Sequence, residues 1–177
     1  MNHSSKWYQG RLPKCLWDAN EIASLPYTRQ PFNDDKQSQE WRALGFMPRT
    51  GAMFDMRNEW QPTSTVRLKA WADEFDHVGI SYYRMDPGDN LPYHSDTYDR
   101  YVKIHGLEGK RDRIWRFIFF VDDWQPGHIF EIDGQAITGW LAGDFVGWQN
   151  DVPHMAANLG MKPRYTIQLT GARREDQ

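Results

Sequence analysis

The sequence predicts a mainly β domain, an antiparallel sandwich or barrel, and three observations lead there. From position 78 onward, short apolar runs recur at intervals with turn-forming residues between them, giving seven or so strands. The run IWRFIFFV at 114–121 is nearly continuous in apolar character and reads as a central strand covered on both sides. Nine Trp, eight Tyr and nine Phe stand among 177 residues, and large flat side chains favour pleated surfaces over helices.

The first part of the chain lacks that texture. Residues 1–59 carry Pro13, Pro26, Pro31 and Pro48 and polar runs such as Asn33-Asp34-Asp35-Lys36. Short helices and loops packed around a sheet are expected there. A helix over 17–25 stops before Pro26, because the residue preceding a proline avoids helical angles. Ser64 or Thr65 is expected to cap a helix running to Asp76, with Val66, Leu68, Trp71 and Phe75 as its apolar stripe. Residues 1–77 then act as support and lid without a core of their own.

The strands follow in order. A strand over 78–85 meets the turn Asp86-Pro87-Gly88-Asp89-Asn90. After 114–121 the chain turns at Gln125-Pro126-Gly127. Strands at 130–132 and 136–141 flank Asp133-Gly134, the chemistry of a hairpin turn. Ala142-Gly143-Asp144 leads into 145–148, and the last two strands, 154–158 and 164–170, are joined by 159–163.

Length and charge bound the function. At 177 residues the chain is one domain, 1–177, with one substantial core. The net charge is −3 with basic residues scattered, Arg173-Arg174 being only a short tail, so no nucleic-acid partner is expected. No apolar stretch approaches a membrane span and residues 1–14 lack the apolar middle of a secretory signal, so a soluble, cytoplasmic protein is expected. Cys15 is the lone cysteine, which rules out an internal disulfide and suits a reducing compartment. Any metal site must use His, Asp or Glu.

His94-Ser95-Asp96 and His154 supply such a set. On a strand, side chains at i and i+2 share a face, so His94 and Asp96 can clip one ion while Ser95 faces away. His154 would join from a distant strand. Two imidazoles and one carboxylate favour a borderline divalent ion and leave coordination positions open, the arrangement of non-haem Fe(II) oxygenases. A His-x-Asp pattern on its own is more often accidental. His105 and His128 compete as ligands from a polar segment and a turn. Arg164 begins the final strand, about 13 Å of strand beyond His154 before the turn. Its planar fork suits a carboxylate, and Thr166 on the same face adds a hydroxyl. The plain alternative for Arg164 is a surface ion pair.

Over about 78–171 the chain resembles the Fe(II)- and 2-oxoglutarate-dependent oxygenase superfamily. Tyr82-Tyr83-Arg84-Met85-Asp86-Pro87-Gly88 before His94-Ser95-Asp96 looks like that family's strand and turn before its His-x-Asp. Gly143-Asp144-Phe145-Val146 before His154 is similar to its Gly-Asp turn, and Arg164-Tyr165-Thr166 to its Arg-x-Ser or Arg-x-Thr clamp. Trp140 with Gly143-Asp144, then His154-Met155-Ala156-Ala157-Asn158, is also similar to aspartyl/asparaginyl and free amino-acid hydroxylases. The resemblance implies a double-stranded β-helix, or jelly roll, at 78–171 with supporting N-terminal helices. It implies iron on His94, Asp96 and His154, and 2-oxoglutarate chelating that iron with its far carboxylate on Arg164 and Thr166. O2 would be the oxidant, ascorbate a reductant, and succinate and CO2 the products, with hydroxylation of an unactivated C–H bond.

Further assignments go with that resemblance. Tyr83 is the candidate extra cosubstrate residue, with a packed core tyrosine as its alternative. Arg116 interrupts an apolar strand and is expected to face the barrel interior and an anionic group of cosubstrate or substrate, or else to snorkel at the sheet edge. Arg84 and Arg100 invite the same reading with less support, and Asn158 and Trp148 are candidate pocket walls. The expected partner is a small polar molecule, an amino acid or a peptide side chain, and the protein a monomer or homodimer. Two alternatives stay open: a non-catalytic jelly-roll ligand-binding protein, and a cupin-type metalloenzyme that ignores 2-oxoglutarate.

Overall fold

Strand alternation divides the aromatic residues between two faces of one large sheet in the computed structural model, which describes residues 6–29, 32, 35–55 and 62–175. In chain order the elements are β1 (Trp7–Arg11), α1 (Ala19–Ala23), β2 (Thr28–Arg29), α2 (Asp35–Ala43), β3 (Ala52–Asp55), α3 (Thr63–Trp71), β4 (Phe75–Met85) and β5 (Asn90–His94). They continue with α4 (Asp99–His105), β6 (Ile114–Phe120), β7 (His128–Ile132), β8 (Gln135–Ile137), β9 (Asp144–Gln149), β10 (His154–Asn158) and β11 (Arg164–Arg173). The large sheet has the order β1-β9-β6-β11-β4-β3-β2 and the small one β5-β10-β7-β8. Both are antiparallel throughout, the two-sheet jelly roll expected above.

Alternate residues of the central strands feed two cores. On the outer face Ile80, Tyr82, Phe117, Phe119, Ile167 and Leu169 pack against Trp17, Ile22, Leu25 and Leu68 of the N-terminal segment. On the inner face Met85, Phe120, Val146 and Trp148 meet Phe130, Ile132 and Ala156 of the small sheet. The reading of 114–121 as a strand covered on both sides therefore holds, and β6 lies between β9 and β11.

Two backbone devices set the end of the barrel where the last strand begins. A Cβ on Gly127 would lie 2.3 Å from the Gly160 nitrogen, and Leu159 N–H donates to the Gly127 carbonyl at 2.8 Å, so the two turns can touch only without side chains. Buried Asn158 donates to the carbonyls of Met85 and Lys162, each at 2.8 Å, and accepts from Gly160 N–H at 3.0 Å. Asn158 thus ties the loop into β11 to the end of β4. At the hairpin, Asp133 (φ 50°) and Gly134 (φ 74°) form the two-residue turn between β7 and β8, as their chemistry predicts.

Several expectations need correction. β1, β2 and β3 add strands to the large sheet within the segment read as irregular, because cross-strand pairing with β9 and β4 outweighs weak local propensity. α3 starts at Thr63 behind Pro62 and ends at Trp71, so neither Ser64 nor Thr65 is its cap. The Glu21 carboxylate accepts from Thr63 N–H and Oγ1, while Ser64 and Thr65 hydroxyls are buried at 2.7 Å from the Tyr82 hydroxyl. Val66 is 71% exposed and leaves the predicted stripe, and Phe75 already belongs to β4. The strand expected at 136–141 is only β8, and α4 was not foreseen. β10 and β11 do not fold back beside each other: the turn at 159–163 carries the chain from the small sheet to the large one.

Candidate metal centre

His94 closes β5 and His154 opens β10, and the two stand directly opposite in register. Asp96 lies beyond the end of β5, in a loop, which corrects the expectation that it shares a strand with His94. β10 begins at His154, so no partner strand extends that far. A contact from the large sheet turns the carboxylate inward instead. Ligand atoms of His94, Asp96 and His154 all lie within 4.8 Å of one another. His94 Nε2 is 3.9 Å from Asp96 Oδ1, and His154 Nε2 is 3.7 Å from Asp96 Oδ2.

The second ring nitrogens orient the set. His94 Nδ1 lies 2.8 Å from the Pro92 carbonyl and His154 Nδ1 3.0 Å from the Val152 carbonyl. Protonated at Nδ1, each ring donates to its carbonyl and turns the Nε2 lone pair toward the carboxylate. Burial pushes the His154 pKa down to about 4, so its imidazole is neutral at pH 7. For Asp96 burial works upward, but the Arg116 guanidinium leads the opposing influences and the pKa ends below the ordinary carboxylate range. Two imidazoles and one carboxylate form a donor set that fits a divalent transition metal.

Arg116 is the contact from the large sheet. Its Nη1 donates to Asp96 Oδ2 at 2.6 Å, its Nε lies 3.4 Å from Thr170 Oγ1, and its guanidinium sits 4.8 Å from the Tyr98 ring centre. Tyr98, at φ 55°, has a buried hydroxyl beside the same carboxylate without a well-formed hydrogen bond. Aromatic rings wall the histidines: Phe32 and Trp41 stand 5.2 and 5.8 Å from His94, and Trp148 stands 4.7 Å from His154. Trp148 is buried and its indole N–H has no partner among the described residues.

Arg164 occupies the inner face of β11 at its first residue. Its guanidinium is buried, with Nη1 donating to the Ile129 carbonyl at 2.6 Å and Nη2 2.9 Å from Met85 Sδ. Nε is buried with no partner. Burial alone lowers its pKa to about 10, with no acid offsetting it. A surface ion pair is thus replaced by an enclosed cation without an anion. Thr166 is buried two residues on, and Tyr83 on β4 is its partner in register.

The other candidates lie elsewhere. His105 is at the end of α4, stacked on His77 at 4.5 Å, and His128 is buried with Nε2 3.0 Å from the Lys162 carbonyl. Arg84 pairs with Asp86 on the outer side, and Arg100 is exposed on α4. Tyr98, Phe32 and Trp41 were not singled out in the sequence. For Tyr98 the only cue was its spacing, two residues past Asp96.

No family model matches the sequence, and no curated protein matches it significantly. Solved structures do. A prolyl-4-hydroxylase from Pseudomonas putida superposes with a TM-score of 0.60 at 15% identity, covering 97% of this chain and 95% of that one. An oxidoreductase of the 2OG-Fe(II) oxygenase family from Burkholderia pseudomallei gives 0.58 at 12% identity, covering 98% and 90%. The chain shares its fold with these proteins over nearly its whole length. Among the described residues no helix is long and apolar enough to cross a membrane.

Proposed function

We propose that this chain is an Fe(II)- and 2-oxoglutarate-dependent oxygenase that hydroxylates an unactivated C–H bond. One observation carries the reading: among the described residues, Arg164 is a buried guanidinium with an orphaned N–H and no anion, on the same barrel interior as the His94, Asp96 and His154 cluster. A buried charge needs a counter-charge, and a dicarboxylate with one end on a metal supplies it at the other.

In this reading His94, Asp96 and His154 hold the metal and Arg164 holds the far carboxylate of 2-oxoglutarate, with Thr166 and Tyr83 beside it. Bound together, iron and 2-oxoglutarate supply an oxidation by O2 that releases succinate and CO2 and places one oxygen atom in the substrate. The chain's own work is orientation and shelter. The Pro92 and Val152 carbonyls hold the ring tautomers, Arg116 holds Asp96, and Phe32, Trp41 and Trp148 keep water from the histidines.

The test is anaerobic addition of Fe(II) and 2-oxoglutarate, followed by O2. A charge-transfer band and succinate formation are expected. Metal-dependent turnover without 2-oxoglutarate would favour a cupin-type enzyme, and absence of both band and succinate would favour a ligand-binding protein. Arg164→Ala should weaken 2-oxoglutarate binding far more than metal binding.

A further inference from the structure

We propose that the substrate of this site carries a carboxylate, and that Arg116 and Trp148 receive it. The proposal rests on the oxygenase reading above and names its substrate class. The inner face of β11 runs from Arg164 through Thr166 and Gln168 to Thr170, about 20 Å of strand. Its two ends differ. At the Arg164 end the neighbours in register are buried Met85 and, beside Thr166, buried Phe120 and half-buried Tyr83. Toward Thr170 the neighbours are partly open and include polar ones: Ser81 and Ile118 lie beside Gln168, and Arg116 and Gly79 beside Thr170. A polar substrate would approach the metal from the Arg116 end, with the cosubstrate's far carboxylate at the Arg164 end.

Charge selects its sign. Among the described residues, the fully buried Asp89 carboxylate is matched by Arg29 and Arg49, whereas the two guanidinium groups of Arg116 and Arg164 have only the Asp96 carboxylate on the inner side, which leaves an excess of one positive charge there. A divalent metal and a doubly negative 2-oxoglutarate cancel each other, so the excess persists in the loaded site. A substrate carboxylate would neutralise it.

Geometry selects the place. Arg116 uses Nη1 for Asp96 and Nε for Thr170, and its Nη2 has no hydrogen-bond partner among the described residues. The Tyr98 ring fixes the plane of the guanidinium. Trp148 stands directly opposite Arg116 in register, so both side chains share the inner face. Its buried, unpartnered indole N–H is a second donor in that neighbourhood. Two donors carried by cross-strand partners on one face, one of them charged, suit the two oxygens of a carboxylate. Arg116 then bridges the metal's carboxylate ligand and the substrate's own.

The test uses protein loaded with Mn(II) in place of iron, to prevent turnover, and saturating 2-oxoglutarate. Calorimetric titration compares L-amino acids and short monocarboxylic acids with their primary amides. The acid of a binding pair is expected to bind about tenfold or more tightly than its amide, the difference between a charge-assisted and a neutral hydrogen bond. Arg116→Gln keeps a donor for Asp96 but removes the charge. With Mn(II) and 2-oxoglutarate held saturating it should erase that preference, while Arg116→Lys retains the preference. Trp148→Phe should weaken the acid severalfold. Equal binding of acids and amides, an undiminished preference in Arg116→Gln, or no acid binding beside normal Mn(II) and 2-oxoglutarate binding overturns the proposal alone. Failure of Mn(II) and 2-oxoglutarate to bind overturns the oxygenase reading, and this proposal with it.

Discussion

Replacing Arg164 by Met should leave the metal-free protein at least as stable as the parent while abolishing its response to 2-oxoglutarate. The magnitude follows from burial. The guanidinium pKa is lowered from 12.5 to about 10 by desolvation, and at about 1.4 kcal/mol per unit this is a cost of roughly 3 kcal/mol for holding the charge inside. That cost is present at every pH below about 10 and is relieved only as pH rises through that value, because the folded state then releases the proton before the unfolded chain does. Against it stand the bond to the Ile129 carbonyl and the contact with Met85 Sδ. Losing the partner of a buried carbonyl costs about 1–3 kcal/mol. Methionine refills much of the volume with a flexible apolar chain. The net expectation for the free protein is a change between about zero and 2 kcal/mol in favour of the variant.

Urea unfolding of metal-free protein at pH 7 measures that term, and repeating it with metal and 2-oxoglutarate measures the other. In the parent, cosubstrate at a hundred times its dissociation constant should add about 2.7 kcal/mol, and in Arg164→Met nearly nothing. A free variant less stable than the parent by 2 kcal/mol or more would mean that Arg164 holds the fold together. The argument from an unbalanced buried cation would then fail, even if cosubstrate binding were also lost.

Three further outcomes test the scaffold around the site. Tyr82→Phe strips two buried hydroxyls, Ser64 and Thr65, of a partner at 2.7 Å and should cost about 1–3 kcal/mol in chemical denaturation. Gly160→Ala puts a Cβ 2.3 Å from the Pro126 carbonyl oxygen. A loss of about 1–3 kcal/mol is expected, together with weaker 2-oxoglutarate binding in calorimetry, since the same turn leads into Arg164. Arg11 and Asp144 are cross-strand partners at the edge of the large sheet, and their hydrogen bonds hold the Asp144 carboxyl below its ordinary pKa. A depressed carboxylate stabilises the fold above its unfolded-state value of about 4 and loses that contribution as pH falls through the folded-state value. Arg11→Ala should therefore lower the thermal midpoint at pH 7, and the gap to the parent should close in acid.

The parts of the site legible in the sequence are those set by strand alternation or by residue chemistry. Arg164 and Thr166 share a face because they are two apart on β11, and His94 and His154 could be named as ligands because imidazole in a cysteine-poor chain leaves few other donors. Asp96 was grouped with the histidines for a local reason that the structure replaces. It leaves the strand, and a bond from Arg116, twenty residues later and in the other sheet, aims its carboxylate. No local pattern encodes such a contact. Arg116 itself looked out of place within IWRFIFF, since a cation in an apolar strand needs a partner, yet the identity of that partner depends on which strands become neighbours. The same limit hid β1 to β3 and the rings of Phe32 and Trp41, whose positions come from packing on elements distant in sequence. The conflict at Arg116 between local pattern and residue type marked the right position. Its resolution required the sheet order that sets Arg116 beside Thr170 on one side and Trp148 on the other, facing the carboxylate of Asp96.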